Sequence, residues 1–281
     1  MTIIKALRML TAILILFIYG CGTDSTPDPI EEEGTWELVW SDEFEGAEGE
    51  LPDSDNWTYD IGRGSNGWGN QELQYYTNRP ENVSLDGDGN LVITAIEESF
   101  SGANYTSARI LTQDLFEYQY GRFEARLKTP YGPGLWPAFW MLGGNFSIAG
   151  WPNSGEIDIM ELRGQEPSKI AGSLHGPGFF GGGAITRSYT LPSGRFDTEF
   201  HVFAIEWNQD RIDYYVDDVR FQTITRTDVN NVNGTWVFDQ PFFMIMNIAV
   251  GGNYVGPPSQ NTTFPQIMTV DYVRVYTLST E

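Results

Sequence analysis

The sequence predicts an all-β fold, a sandwich of two antiparallel sheets, on three observations. Apolar and polar residues alternate with period two over many short runs. Clusters of Gly, Asn, Asp and Pro separate those runs. No stretch of a dozen residues carries a helical stripe, and no internal repeat is present. At 281 residues the chain can hold one large β domain, since single sandwiches and barrels commonly reach about 200–250 residues.

The N-terminal segment stands outside that domain. Lys5 and Arg8 precede an apolar run from Met9 to Tyr19, so residues 1–20 read as a secretory signal, too short to span a bilayer. Cys21, the single cysteine, follows Gly20 directly and resembles the acylated cysteine of a bacterial lipobox. The expectation is an exported, membrane-anchored lipoprotein at a periplasmic or cell surface; the alternative is a plain signal or anchor ending in an incidental cysteine. One cysteine permits no internal disulfide, so the fold must rest on core packing, ligands or metal. Residues 21–33, with the run GTDSTPDPIEEE, bury almost nothing and form an acidic flexible tether. Residues 34–281 form the folded domain, expected to be a monomer.

The formal net charge of −22 argues against nucleic acid or an anionic membrane surface as partner, because the dominant attraction to phosphate is missing. A neutral polysaccharide remains compatible, although an acidic surface is also simply soluble.

Within the domain GRFEARLK (121–128) sets Phe123, Ala125 and Leu127 on one face and Arg122, Glu124, Arg126 and Lys128 on the other. LVITAIE (91–97), FHVFAIEW (200–207), RIDYYVDD (211–218), FFMIMNIAV (242–250) and TVDYVRVYT (269–277) repeat that pattern, with DGDGN, TPYGPG, GPGFFGGG and NVNG as turns. Trp36, Trp40, Trp207 and Trp236 lie in or beside strands and are assigned to the core. Trp68, Trp136, Trp140 and Trp151 sit among Gly, Pro and Asn, where exposed indole faces can stack on sugar rings.

The chemistry concentrates in GEIDIMELRG (155–164). Glycosidic hydrolysis needs a carboxylic acid to protonate the leaving oxygen and a carboxylate to attack carbon or activate water. In a regular strand Glu156 and Asp158 share a face and Glu161 points away. One bulged residue near Ile159–Met160 shifts the parity and returns Glu161 to their face, with Ile157, one of Ile159 or Met160, and Leu162 directed inward. The bland reading is a solvated acidic strand face, but like charges crowded on one face oppose folding unless something uses them.

GEIDIMELRG resembles the catalytic strand of glycoside hydrolase family 16 in the bulged form of its laminarinase (endo-β-1,3-glucanase) branch. The resemblance extends in order through NQELQYYT, SARI, GRFEARLK, GLWPAFWMLG, WPNSGEIDIME, LHGPG, FHVFAIEW, PFFMIMNIAVGG and MTVDYVRVY. It implies a concave β-jelly roll and retaining endo-hydrolysis of β-1,3-glucan, with mixed-linkage β-1,3-1,4-glucan as a second substrate. It also implies Glu156 as nucleophile, Asp158 as its tuning partner and Glu161 as general acid/base, with no cofactor for catalysis. Asn70, Arg109, Trp136, Trp140 and His175 fall where that branch contacts glycan, and Glu43 and Asp271 where it often holds a structural Ca²⁺. Trp151, just before the catalytic strand, is expected to wall the site, and Glu72 to order its loop or bind sugar. Gln71 departs from the branch's usual second asparagine. Another polysaccharide such as agar or carrageenan, or non-catalytic glycan binding, are the competing readings; the second predicts a missing acid, and all three acids are present.

Overall fold

The computed structural model describes residues 34–279, so Cys21, the signal and the tether lie outside the described residues. The alternating runs become strands. GRFEARLK is Gly121–Lys128 with Phe123, Ala125 and Leu127 fully buried, and TVDYVRVYT lies inside Gln266–Ser279. Two sheets result. One has the strand order Ile185–Thr190, Lys169–His175, Glu156–Leu162, Leu135–Gly143, Phe242–Val250, Arg109–Leu111, Thr58–Tyr59. The other runs Val219–Thr225, Arg211–Val216, His201–Trp207, Gly121–Lys128, Gln266–Ser279, Leu91–Phe100, Ala103–Ser107, Gln74–Tyr76. Thr35–Asp42 adds to Gln266–Ser279, and Val83–Leu85 to Leu91–Phe100. This is the expected jelly-roll sandwich, with one departure: Gln74–Tyr76 pairs parallel to Ala103–Ser107 at the end of its sheet.

The core fills the space between the sheets. Leu135, Phe139, Met141, Ile157, Leu174, Met244, Met246 and Ile248 from the first sheet join Phe123, Leu127, Phe203, Ile205, Trp207, Val273 and Val275 from the second in one buried cluster. Each such side chain contributes roughly 1.5–3 kcal/mol by leaving water. A core of this size explains how a domain without disulfides holds together. Strand alternation sends the intervening residues of the first sheet, including Trp136, Trp140, Ser173 and Asn247, to its outer face, where the functional site is built.

The assignment of four tryptophans to the core holds only in part. The buried tryptophans are Trp57 and Trp207; Trp36, Trp40 and Trp236 are only half-buried. Two short α-helices occur among the described residues, Phe146–Ala149 and Arg226–Asn231, beside a π turn at Gly67–Gln71 and a 3-10 turn at Gly181–Gly183, and Arg226–Asn231 begins with a capping box between Thr225 and Asp228. That signal, Thr-x-x-Asp, is legible in the sequence but too short to give a helical stripe.

The two carboxylates expected to hold a structural cation are each ion-paired. Arg274 donates to both carboxylate oxygens of Glu43, at 2.9 and 2.8 Å, and Asp271 is paired with Arg126.

The two sheets meet closely at Gly172, where an added Cβ would lie 2.7 Å from the Tyr214 ring. The Tyr214 hydroxyl also donates to the Ser173 carbonyl at 2.9 Å. Gly172→Ala is expected to cost about 1–3 kcal/mol by overpacking, lowering the thermal midpoint by about 2–4 °C per kcal/mol for a domain of this size. An unchanged midpoint in a thermal melt would contradict this packing.

Candidate active site

The strand Glu156–Leu162 carries the bulge that the spacing of its acids requires. Against Lys169–His175 it pairs Asp158 with Ser173 and then Glu161 with Ala171, three steps facing two. Against Leu135–Gly143 it pairs Asp158 with Trp140 and Met160 with Phe139, two steps facing one. The extra residue falls at Ile159–Met160, and the core holds both of those side chains along with Ile157 and Leu162. Burying both anchors the bulge, and the face of Glu156 and Asp158 regains Glu161.

Neighbouring strands supply the donors. Trp136 Nε1 donates to Glu161 Oε1 at 3.0 Å, and the Ser173 hydroxyl lies 3.4 Å from Oε2. An indole N–H only donates, so Oε1 is permanently an acceptor and Oε2 is the oxygen that can carry a proton. His175 Nε2 lies 3.1 Å from Asp158 Oδ2 and 4.0 Å from Glu156 Oε1. Its Nδ1 accepts the Gly181 N–H at 3.1 Å, which leaves the ring proton on Nε2, facing the two acids.

Burial dominates the electrostatics. Desolvation, then the charge of Asp158, pushes Glu156 up to about 8. Desolvation, then the charge of Glu161, holds Asp158 well above the usual carboxylate range. Glu161 is pushed up to about 7, first by burial, with His175 opposing and Glu156 adding to the rise. Three acids crowded on one face do not all ionise together, so they titrate as a set that retains protons near neutrality.

Glu156, Asp158 and His175 place one ligating atom each within 4.8 Å of one another, which raises the question of a metal. A ligating histidine normally donates its other ring N–H to an acceptor. Here that nitrogen faces the Gly181 donor, so the ring is set as a hydrogen-bond donor toward the acids.

The remaining expected site residues divide into two groups. Trp151 stays open, 44% exposed, with its ring edge-on to Phe180 at 5.2 Å and 6.3 Å from His175. Trp136 and Trp140 are half-buried; Trp136 packs on Tyr254 at 4.9 Å and Trp140 donates to Asn247 at 2.8 Å. Arg109 lies with its guanidinium over the rings of Trp68 and Trp140, 4.9 and 4.6 Å from their centres, and is paired with Asp60 at 3.0 Å. Asn70 is half-buried and donates to Glu72. Of the two roles expected for Glu72, ordering its loop fits the structure: it is 6% exposed, and Asn70, Gln74 and Tyr76 all donate to it.

Asn247, Ser173, Tyr254 and Phe180 belong to the site but were not picked out from the sequence. Asn247 was findable as the one polar residue in FFMIMNIAV, and Ser173 by its parity with His175. Tyr254 and Phe180 come from turns, where no periodicity guides assignment.

Comparison with known proteins agrees with this arrangement. The family model described as glycosyl hydrolases family 16 matches residues 69–274. The chain belongs to glycosyl hydrolases family 16. Within that family it is 44% identical to a β-glucanase of Rhodothermus marinus, over 97% of this chain and 96% of that protein. It is 41% identical to a glucan endo-1,3-β-glucosidase of Cryptopygus antarcticus, over 87% of this chain and 93% of that one. Among solved structures, the endo-β-1,3-glucanase of Pyrococcus furiosus superposes with a TM-score of 0.84 at 46% identity, covering 89% and 97% of the two chains.

The raised carboxyls give the family 16 domain a pH-dependent stability. Glu156 keeps its proton in the folded state up to about 8, whereas unfolded glutamate loses it near 4.5. Between those values the folded state binds more protons, so wild-type stability falls as pH rises. Glu156→Gln removes that slope. The stability difference between variant and wild type should grow in the variant's favour from pH 4.5 to 8, by on the order of 1–3 kcal/mol. Thermal melts across this range check it, and a gap that stays constant or narrows contradicts the burial of an ionisable Glu156.

Proposed function

We propose that the protein is a retaining endo-β-1,3-glucanase that cleaves laminarin-like glucan and accepts mixed-linkage β-1,3-1,4-glucan. The observation that carries this reading is the bulge, which assembles two glutamates and an aspartate on one face beside exposed and half-buried tryptophans. The lengthwise homology to β-1,3-glucan hydrolases selects the substrate.

The roles follow from the hydrogen bonds. Glu161 enters protonated and gives the Oε2 proton to the leaving glycosidic oxygen, while Trp136 fixes Oε1. Glu156 attacks the anomeric carbon. The proton that Glu156 and Asp158 share moves to Asp158 as positive charge develops on the sugar, leaving Glu156 as the carboxylate. His175 Nε2 lies beside both, 3.1 Å from Asp158 and 4.0 Å from Glu156. Water then enters on the same sugar face, Glu161 takes its proton, and the β configuration is retained. Trp151 and Phe180 offer apolar faces to the sugar on the His175 side. A sulfated glucan or galactan is the weaker candidate, because a sulfated substrate favours a basic cleft and the chain, at a net charge of −22, offers little excess positive charge.

The setting is part of the proposal. Residues 1–20 direct export, Cys21 carries the lipid that anchors the chain, and residues 22–33 hold the catalytic domain away from the bilayer.

Residues 34–281 should release reducing sugar from laminarin, and more slowly from lichenan, with little from agarose or carrageenan. Glu156→Gln should lower kcat on laminarin by about 10³-fold or more while still binding it. Proton NMR of the first product should show the β anomer. Release confined to agarose or carrageenan would move the substrate assignment. An initial α anomer would overturn the retaining mechanism.

A further inference from the structure

Behind the Trp140 side of the site lies a buried polar chain whose direction can be read bond by bond. The Trp140 indole N–H donates to Asn247 Oδ1 at 2.8 Å. Because indole nitrogen cannot accept, the Asn247 amide is oriented, and its Nδ2 donates to the Tyr76 hydroxyl oxygen at 3.1 Å. That hydroxyl has one proton, which goes to Glu72 Oε2 at 3.3 Å. A second chain arrives from the backbone. Val250 N–H donates to Gln74 Oε1 at 2.8 Å, which turns Gln74 Nε2 toward Glu72 Oε2 at 2.6 Å. Asn70 Nδ2 donates to Oε1 at 3.3 Å.

Every neighbour of this carboxylate is therefore a donor. Only an acceptor on both oxygens satisfies all three, and an ionised glutamate is the one ordinary side chain of this length that does so. Gln74 and Tyr76 are fully buried and Asn247 is 6% exposed, while the Arg109 guanidinium, paired with Asp60, lies over the Trp140 ring. The chain ends on that indole ring.

We propose that Glu72 is a positioning residue for the glycan-binding half of the cleft: through Tyr76 and Asn247 it fixes the rotamer of Trp140. It touches no substrate. This role deepens the glucanase reading, and its kinetic test rests on that reading, whereas its spectroscopic test does not.

Glu72→Gln keeps the size of the side chain but turns one acceptor oxygen into a donor facing donors. In a ¹⁵N-indole spectrum the Trp140 Nε1–H peak, identified by its loss in Trp140→Phe, should shift. KM for laminarin should rise about tenfold while kcat changes less than about threefold. In the Trp140→Phe background the same substitution should raise KM much less, since the N–H through which Glu72 acts is gone. Asn247→Leu, which cuts the chain and leaves Glu72 intact, should shift the same peak, and it serves as the test if Glu72→Gln does not fold. An unmoved Trp140 peak overturns the proposal, as does an equal KM effect in both backgrounds or a loss confined to kcat. Failure of the wild type to cleave laminarin would overturn the glucanase reading and leave the spectroscopic result standing.

Discussion

The functional site depends on one extra residue in one strand. A regular Glu156–Leu162 strand would bury Glu161 in the sandwich core, where an unpaired carboxyl costs several kcal/mol, or would expel Leu162 in its place. The bulge at Ile159–Met160 resolves the conflict by giving the core two adjacent apolar side chains. Core packing and catalysis are therefore satisfied by the same backbone irregularity. Trp136, Ser173 and His175 reach the acids only because the flanking strands stay in register on either side of it.

The bulge brings three acids together, and the surroundings make that tolerable. Each acid has at least one neighbour that answers its charge or its proton: an indole N–H and a hydroxyl at Glu161, an imidazole N–H facing Asp158 and Glu156. Burial lifts all three toward the protonated form. The stability lost to desolvation as pH rises is also what leaves a proton available for the leaving group near neutrality. The binding side follows a different rule. There the Glu72 carboxyl is surrounded by hydrogen-bond donors, and the chain through Tyr76 and Asn247 leads to the Trp140 indole.

Much of this was legible in the sequence because it depends on parity. Alternation located the strands, and the odd spacing of Glu161 called for a bulge that the pairing register then placed at Ile159–Met160. Parity says nothing about what a polar side chain meets across a sheet. Glu43 and Asp271 were read as calcium ligands, but Arg274 and Arg126, which pair with them, are reached through strand neighbours rather than through sequence spacing. For Glu72 the sequence leaves loop ordering and sugar binding both open. Its burial comes from Gln74 and Tyr76 folding over it and from Asn70, contacts that the hydrophobic pattern does not encode. The parallel pairing of Gln74–Tyr76 is likewise a tertiary outcome of a three-residue run.

The central claim is that the bulge gives Glu161 the proton-transfer role and leaves Glu156 as nucleophile. Azide trapping on an aryl β-laminaribioside with a good leaving group tests it directly. With Glu161→Ala the leaving group departs unaided, the glycosyl-enzyme forms on Glu156, and azide should accelerate turnover to the β-glycosyl azide. With Glu156→Ala azide should attack in place of the missing carboxylate and give the α-glycosyl azide. The opposite pairing of anomers would exchange the two roles, and the absence of trapping in either variant would contradict the assignment of both glutamates.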